Sequence, residues 1–195
     1  VTVTISTVDP YVVFHDDTEL FGTVPSSGSI TIDEAFTFYI NDAIPDQHKL
    51  YFTCTATDGN ETWESLFMLT VNAPNLHINT LTIDDSEFGN GNGMMDPGEQ
   101  VDMTINYTNT GHATAYNVDV SLEARSGFVE ILNPSQTFAS IGFFGIFNKT
   151  FTVVIDESAP EGIVVEFANT LSMNAFSLEK VYPEKITPKC EDFET

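Results

Sequence analysis

Between Asp84 and Glu99 the sequence reads Asp-Asp-Ser-Glu-Phe-Gly-Asn-Gly-Asn-Gly-Met-Met-Asp-Pro-Gly-Glu, so that oxygen-bearing side chains recur around glycines. Calcium needs about six to eight hard oxygen ligands, and a short loop can present them on alternate residues where a Gly permits a sharp turn. If Glu99 takes the twelfth place of a twelve-residue calcium loop, Asn90 falls third, Asn92 fifth and Gly93 sixth. Met94 then offers its carbonyl from the seventh place and Asp96 takes the ninth. The first place falls on Phe88, so Asp84 or Asp85 must supply the missing carboxylate. The expected ligand set is therefore Asp84, Asp85, Asn90, Asn92, Met94, Asp96 and Glu99. The plain alternative is a Gly/Asn connection between strands, because Asn-Gly pairs favour tight turns in any case. A bare turn needs neither this length nor this many carboxylates. All ligands would come from one loop, which points to a structural ion and not to a catalytic one.

No other constellation offers chemistry. His15, His48, His77 and His112 show no zinc spacing with one another or with cysteine. Cys54 and Cys190 make no disulfide framework, and Cys54 sits in an alternating stretch as an ordinary strand residue. Trp63 reads as a core or rim aromatic before it reads as a sugar platform. No catalytic residue is assigned. The chain carries 29 Asp and Glu against 6 Lys and Arg, a formal charge of -23, which repels nucleic acid and anionic membranes and attracts cations. No apolar run approaches the roughly 18 residues of a membrane span.

Strands must position the loop. Val101, Met103, Ile105 and Tyr107 alternate with polar residues, as do Tyr116, Val118, Val120 and Leu122 after the Asn109-Thr110-Gly111 turn. The same period recurs at Phe36, Phe38 and Ile40, at Phe151 and Val153, and at Ile163, Val165 and Phe167. The one helical candidate, Ser158 to Glu161, is interrupted by Pro160. The pattern predicts an all-β chain of antiparallel β-sandwiches.

An internal repeat divides it. Phe128-Val129 lies on Tyr11-Val12, Phe138 on Phe21, Phe151 and Val153 on Phe36 and Phe38, and Phe167 on Phe52. A change of register at the Asp58-Gly59-Asn60 turn then places Phe176, Leu178 and Pro183 on Phe67, Leu69 and Pro74. Two tandem modules of immunoglobulin type are expected, 1–74 and 75–183, with 184–195 as a linker opening a further domain. The second should hold about seven strands. Nothing in the first corresponds to Leu76 through Ala115, so the first module is expected to be truncated at its N-terminus. The missing strands are expected upstream of Val1, and an unpaired sheet edge should follow, filled by a neighbouring chain, by the 184–195 tail or by crystal contacts.

The loop, with its Asn90-Gly91-Asn92-Gly93 and Asp96-Pro97-Gly98-Glu99, and the strand ending in Asn109-Thr110-Gly111 resemble an immunoglobulin-like repeat of large secreted Bacteroidetes proteins. That repeat stands downstream of the catalytic domain in gingipain-type cysteine proteases. Phe138-Ala139-Ser140-Ile141-Gly142, Pro160 and Tyr182-Pro183 continue the resemblance, and Phe21-Gly22-Thr23-Val24-Pro25 carries it into the first module. Glu191-Asp192-Phe193-Glu194 resembles the start of an adhesin-type domain. The resemblance implies a secreted or outer cell-surface location, neighbouring domains of the same polypeptide as partners, and a non-catalytic spacer role stabilised by calcium. The alternative is an adhesion module that grips a host surface protein or glycan.

Overall fold

The structure is a computed structural model that describes residues 1–187. The chain divides into two compact units, Val1–Ala73 and Pro74–Thr195. Among the described residues the regular structure consists of fourteen strands, with no helix.

Unit 1 contains β1 (Thr2–Ser6), β2 (Val12–Asp16), β3 (Thr18–Leu20), β4 (Thr37–Ile40), β5 (His48–Thr57) and β6 (Thr62–Val71). One sheet has the order β3-β1-β5-β6 and the other is the pair β2-β4, all antiparallel. The core gathers Ile44, Leu50, Phe52 and Ala73, with Phe14, Phe38 and Ile40 packed against them. Phe52 is central: its ring lies 5.3 Å from Phe38 and stacks on Phe67 at 4.9 Å.

Unit 2 contains β7 (Leu76–Asp84), β8 (Gln100–Asn109), β9 (Ala115–Ala124), β10 (Val129–Ile131), β11 (Ser135–Ile141), β12 (Ile146–Ile155), β13 (Val164–Met173) and β14 (Phe176–Lys185). Its sheets run β10-β12-β8-β7 and β11-β9-β13-β14. The short β10 makes eight strands where about seven are expected from the pattern. β8 shows why these residues form a strand with one wet face: its burial alternates along all ten residues. Val101, Met103, Ile105, Val118, Val120, Phe151, Val153, Val165 and Phe167 are all buried in one core.

Pairing fixes the correspondence between the units. Ile5 faces Cys54 in unit 1 as Leu122 faces Asn169 in unit 2. Val12 faces Ile40 as Val129 faces Ile155. The β3-β1-β5-β6 sheet thus matches β11-β9-β13-β14, and β2-β4 matches β10-β12. No described strand of unit 1 matches β7 or β8.

Three expectations change. Phe67 corresponds to Tyr182 and not to Phe176, because Phe52 pairs with Phe67 and Phe167 pairs with Tyr182. Both hairpins keep the same offset through their turns, so the change of register expected at Asp58-Gly59-Asn60 does not occur. Tyr116 is exposed instead of inward, because Asn117 adopts φ 51 and breaks the alternation between Ala115 and Val118. Finally, unit 2 does not close at 183: β14 runs to Lys185 and the buried Ile186 bridges Met95. The Glu191–Glu194 resemblance and Cys190 lie outside the described residues.

Candidate metal centre

The loop begins where β7 ends and runs to the start of β8. Its first turn closes with Gly89 N–H on the Asp85 carbonyl at 2.7 Å. A Cβ at Gly89 would lie 2.8 Å from both the Cβ and the carbonyl oxygen of Asp85, so the approach requires glycine. Gly91 and Gly93 adopt φ 76 and 75, which lets the chain coil while Asn90 and Asn92 form side-chain turns. Asn90 Oδ1 accepts from Asn92 N at 3.0 Å, and Asn92 Oδ1 accepts from Met94 N at 2.7 Å.

Two carboxylates are driven inside by this coiling. Asp96 is 0% exposed and Asp85 is 2% exposed. Asp85 accepts the N–H of Asn92 and of Gly93, each at 2.9 Å. Asp96 Oδ2 accepts the side-chain amides of Asn90 at 2.7 Å and Asn92 at 3.0 Å, while Oδ1 accepts the hydroxyl of Thr187. Glu99 accepts the N–H of Asn90 at 3.1 Å and of Asp96 at 3.3 Å. Burial, followed by the charges of Asp96 and Asp85, pushes the Glu99 carboxyl above its ordinary range, against the N–H bonds that lower it. The ion pairs of His48 with Asp9 and of Arg125 with Glu166 and Glu179 lie away from this loop.

Five of the seven expected ligand residues are brought into this network: Asp85, Asn90, Asn92, Asp96 and Glu99. Asp84 is not. It is exposed, and its carboxylate accepts the N–H and hydroxyl of Ser86, which hold it below its ordinary range. Strand alternation explains the choice, since Asp84 closes β7 in register with Asp102 and Asp85 turns inward after it. Met94, expected through its backbone carbonyl, has an exposed side chain and donates its N–H to Asn92 Oδ1. Among the described residues no three His, Cys, Asp or Glu side chains stand close enough to hold a metal alone. The Asn90 and Asn92 amides lie between Asp96 and its neighbours, and amide oxygens would have to complete a ligand set.

Thr187 escaped the sequence reading because it lies past the boundary set at 183. Its N–H donates to the Met95 carbonyl at 2.8 Å, so the exit of β14 is tied to the loop. Tyr182, Glu184 and Ile186 alternate, and that period was the available signal.

Elsewhere the candidates stay apart. His48 bonds Asp9 at 2.7 Å and His77 bonds Thr110 at 3.0 Å. Cys54 forms no disulfide among the described residues. Trp63 lies on β6 opposite Ala56, at the rim. No family model matches the chain, and no curated protein matches it.

Proposed function

We propose that the two units are non-catalytic structural modules of a secreted or cell-surface multidomain protein, with calcium tightening the loop of unit 2. The observation that carries this reading is the burial of Asp85 and Asp96 beside Glu99 with no described basic partner. Their N–H, amide and hydroxyl donors leave two negative charges without a described counter-charge away from water, which is costly, and a divalent cation would remove that cost. Asp96 and one neighbouring carboxylate, Asp85 or Glu99, would hold the ion, with the Asn90 and Asn92 side chains turned to present oxygen where their amide nitrogens now face Asp96; bound there, it would supply positive charge and cross-link the loop. Because Thr187 bonds both Asp96 and the Met95 carbonyl, tightening the loop would also tighten the exit of β14. That is a spacer's task. The resemblance to repeats beside gingipain-type protease domains supports the same context.

Thermal unfolding with chelator and with calcium tests it. Calcium at a hundred times its dissociation constant should stabilise unit 2 by about 2.7 kcal/mol, a shift on the order of 10 °C. Asp96→Ala should abolish the response. Superimposable curves with and without calcium would reject the ion.

One observation favours the second reading, adhesion to a host protein or glycan. At the turn between β11 and β12, Phe143 and Phe144 are 61% and 63% exposed. Phe144 holds φ 53, a left-handed conformation that a bulky residue adopts at a cost. If this tip binds, replacing both with Asn abolishes attachment to immobilised matrix protein or mucin glycan and leaves the melting curve in place.

A further inference from the structure

Two features of unit 1 fall on the same missing structure. The first is an edge. β12 pairs with β10 on one side and, through Phe151↔Met103 and Val153↔Val101, with β8 on the other. Its counterpart β4 pairs only with β2 among the described residues. The second is an apolar face. β7 reaches over β14 in unit 2, where its Asn79 carbonyl accepts the Tyr182 hydroxyl at 2.8 Å and a bond from the Lys180 ammonium. Tyr182 is 8% exposed there. Its counterpart Phe67 is 39% exposed, and Leu69 and Trp63 on the same face of β6 are 41% and 49% exposed. Trp63 stands where Leu178 stands in unit 2, since Ala56↔Trp63 matches Leu171↔Leu178.

We propose that unit 1 takes up two further antiparallel strands, one adding to the free edge of β4 as β8 adds to β12, the next covering Trp63, Phe67 and Leu69 as β7 covers β14. The donor is polypeptide N-terminal to β1, because β7 and β8 precede β9, the counterpart of β1. Its chemistry is set by the site. The first strand must place apolar residues on alternate positions opposite Phe36 and Phe38, as Met103 and Val101 of β8 stand opposite Phe151 and Val153. Open edges and apolar faces of this kind otherwise recruit other chains.

Unit 2 itself supplies a surrogate donor. Val1 occupies the place of Val118, so a second copy of residues 76–117 fused directly ahead of Val1 restores the order of unit 2. Trp63 is the only tryptophan of the chain, which makes it a built-in reporter. The fusion should shift Trp63 emission to the blue and cut its quenching by acrylamide several-fold relative to the parent chain. The same fusion with serine at the copied positions of Val101, Met103 and Ile105 should do neither. Unchanged quenching in the apolar fusion, or equal protection in the serine version, would overturn the proposal. So would a parent chain that is a stable dimer by light scattering with Trp63 already protected, since the occupant would then be a second copy.

Discussion

The β5–β6 hairpin of unit 1 and the β13–β14 hairpin of unit 2 place aromatic pairs in matching register and bury them unequally. Phe52 and Phe167 are both fully buried, because each lies on an inner strand under a facing sheet. Their partners diverge: β6 is exposed along nearly its whole length, whereas Tyr182 on β14 is buried. The facing sheet has two strands in unit 1 and four in unit 2. An edge strand is therefore buried by the width of the opposite sheet, and its own sequence only makes it fit to be buried. Leu69, Phe67 and Trp63 are a core face without its lid; each large apolar side chain is worth about 1.5–3 kcal/mol when fully covered.

Truncating the aromatic pairs breaks this comparison most directly. Phe167→Ala and Phe52→Ala should each cost about 3–5 kcal/mol in their own units. Tyr182→Ala should approach that range, while Phe67→Ala should cost only about 1 kcal/mol, chiefly its stacking on Phe52. Denaturant unfolding read by Trp63 fluorescence reports unit 1, and hydrogen exchange of β8 and β13 amides reports unit 2. A Phe67→Ala cost equal to that of Phe167→Ala would mean that β6 is covered in solution.

A second, smaller effect belongs to unit 2 alone. Thr187→Val removes the hydroxyl from Asp96 and leaves a buried carboxylate oxygen without that donor, at a cost of about 1–3 kcal/mol. Exchange protection in β14 should fall while Trp63 unfolding stays fixed. A loss in both units would show that Thr187 acts through something other than the loop.

The framework of unit 2 was legible because one wet face imposes strict alternation: Val101 through Tyr107 and Phe151 through Val153 could face only one way. The absent strands of unit 1 were legible for the same reason, since the repeat carried the alternation and stopped where β7 and β8 stand. What the alternation could not carry was local backbone geometry. Asn117 reverses a face through one left-handed residue, and the weak cue in Tyr116-Asn117-Val118 is Asn itself, which tolerates that conformation. The hairpin turn was equally silent: Phe52↔Phe67 and Phe167↔Tyr182 are equally spaced, and nothing in Asp58-Gly59-Asn60 shows that the register runs through it unchanged. In the loop, sequence spacing brought forward Asp84 and Asp85 together. Only the end of β7 separates them, sending one carboxylate to Ser86 and the other inside. The alternation of Tyr182, Glu184 and Ile186 carries β14 past the expected boundary toward Thr187, but the bond from Thr187 to Asp96, so distant in sequence, leaves no local pattern.

The smallest expected effect, and the one with opposite signs in the two units, is the response to acid. Asp9 is held below its ordinary range by its hydrogen bond from His48 and by the N–H of Tyr11. The unfolded chain therefore takes up that proton first as pH falls. The contribution of Asp9 to unit 1 is present above the ordinary Asp range and is lost as pH falls through its lowered value. Glu99 is raised by burial and by Asp96 and Asp85, so the folded state takes up its proton first. Without calcium, unit 2 should gain stability as pH falls from above the raised value toward the ordinary Glu range. Asp9→Asn should flatten the acid loss in unit 1, and Glu99→Gln should remove the gain in unit 2, each read as the difference in melting temperature from the parent across pH 3 to about 7. Calcium turns the second sign around, because metal and proton compete for the same carboxylate. With calcium saturating at neutral pH, unit 2 should lose stability as Glu99 protonates. A Glu99 response that keeps one sign in chelator and in calcium would separate the carboxylate cluster from metal binding.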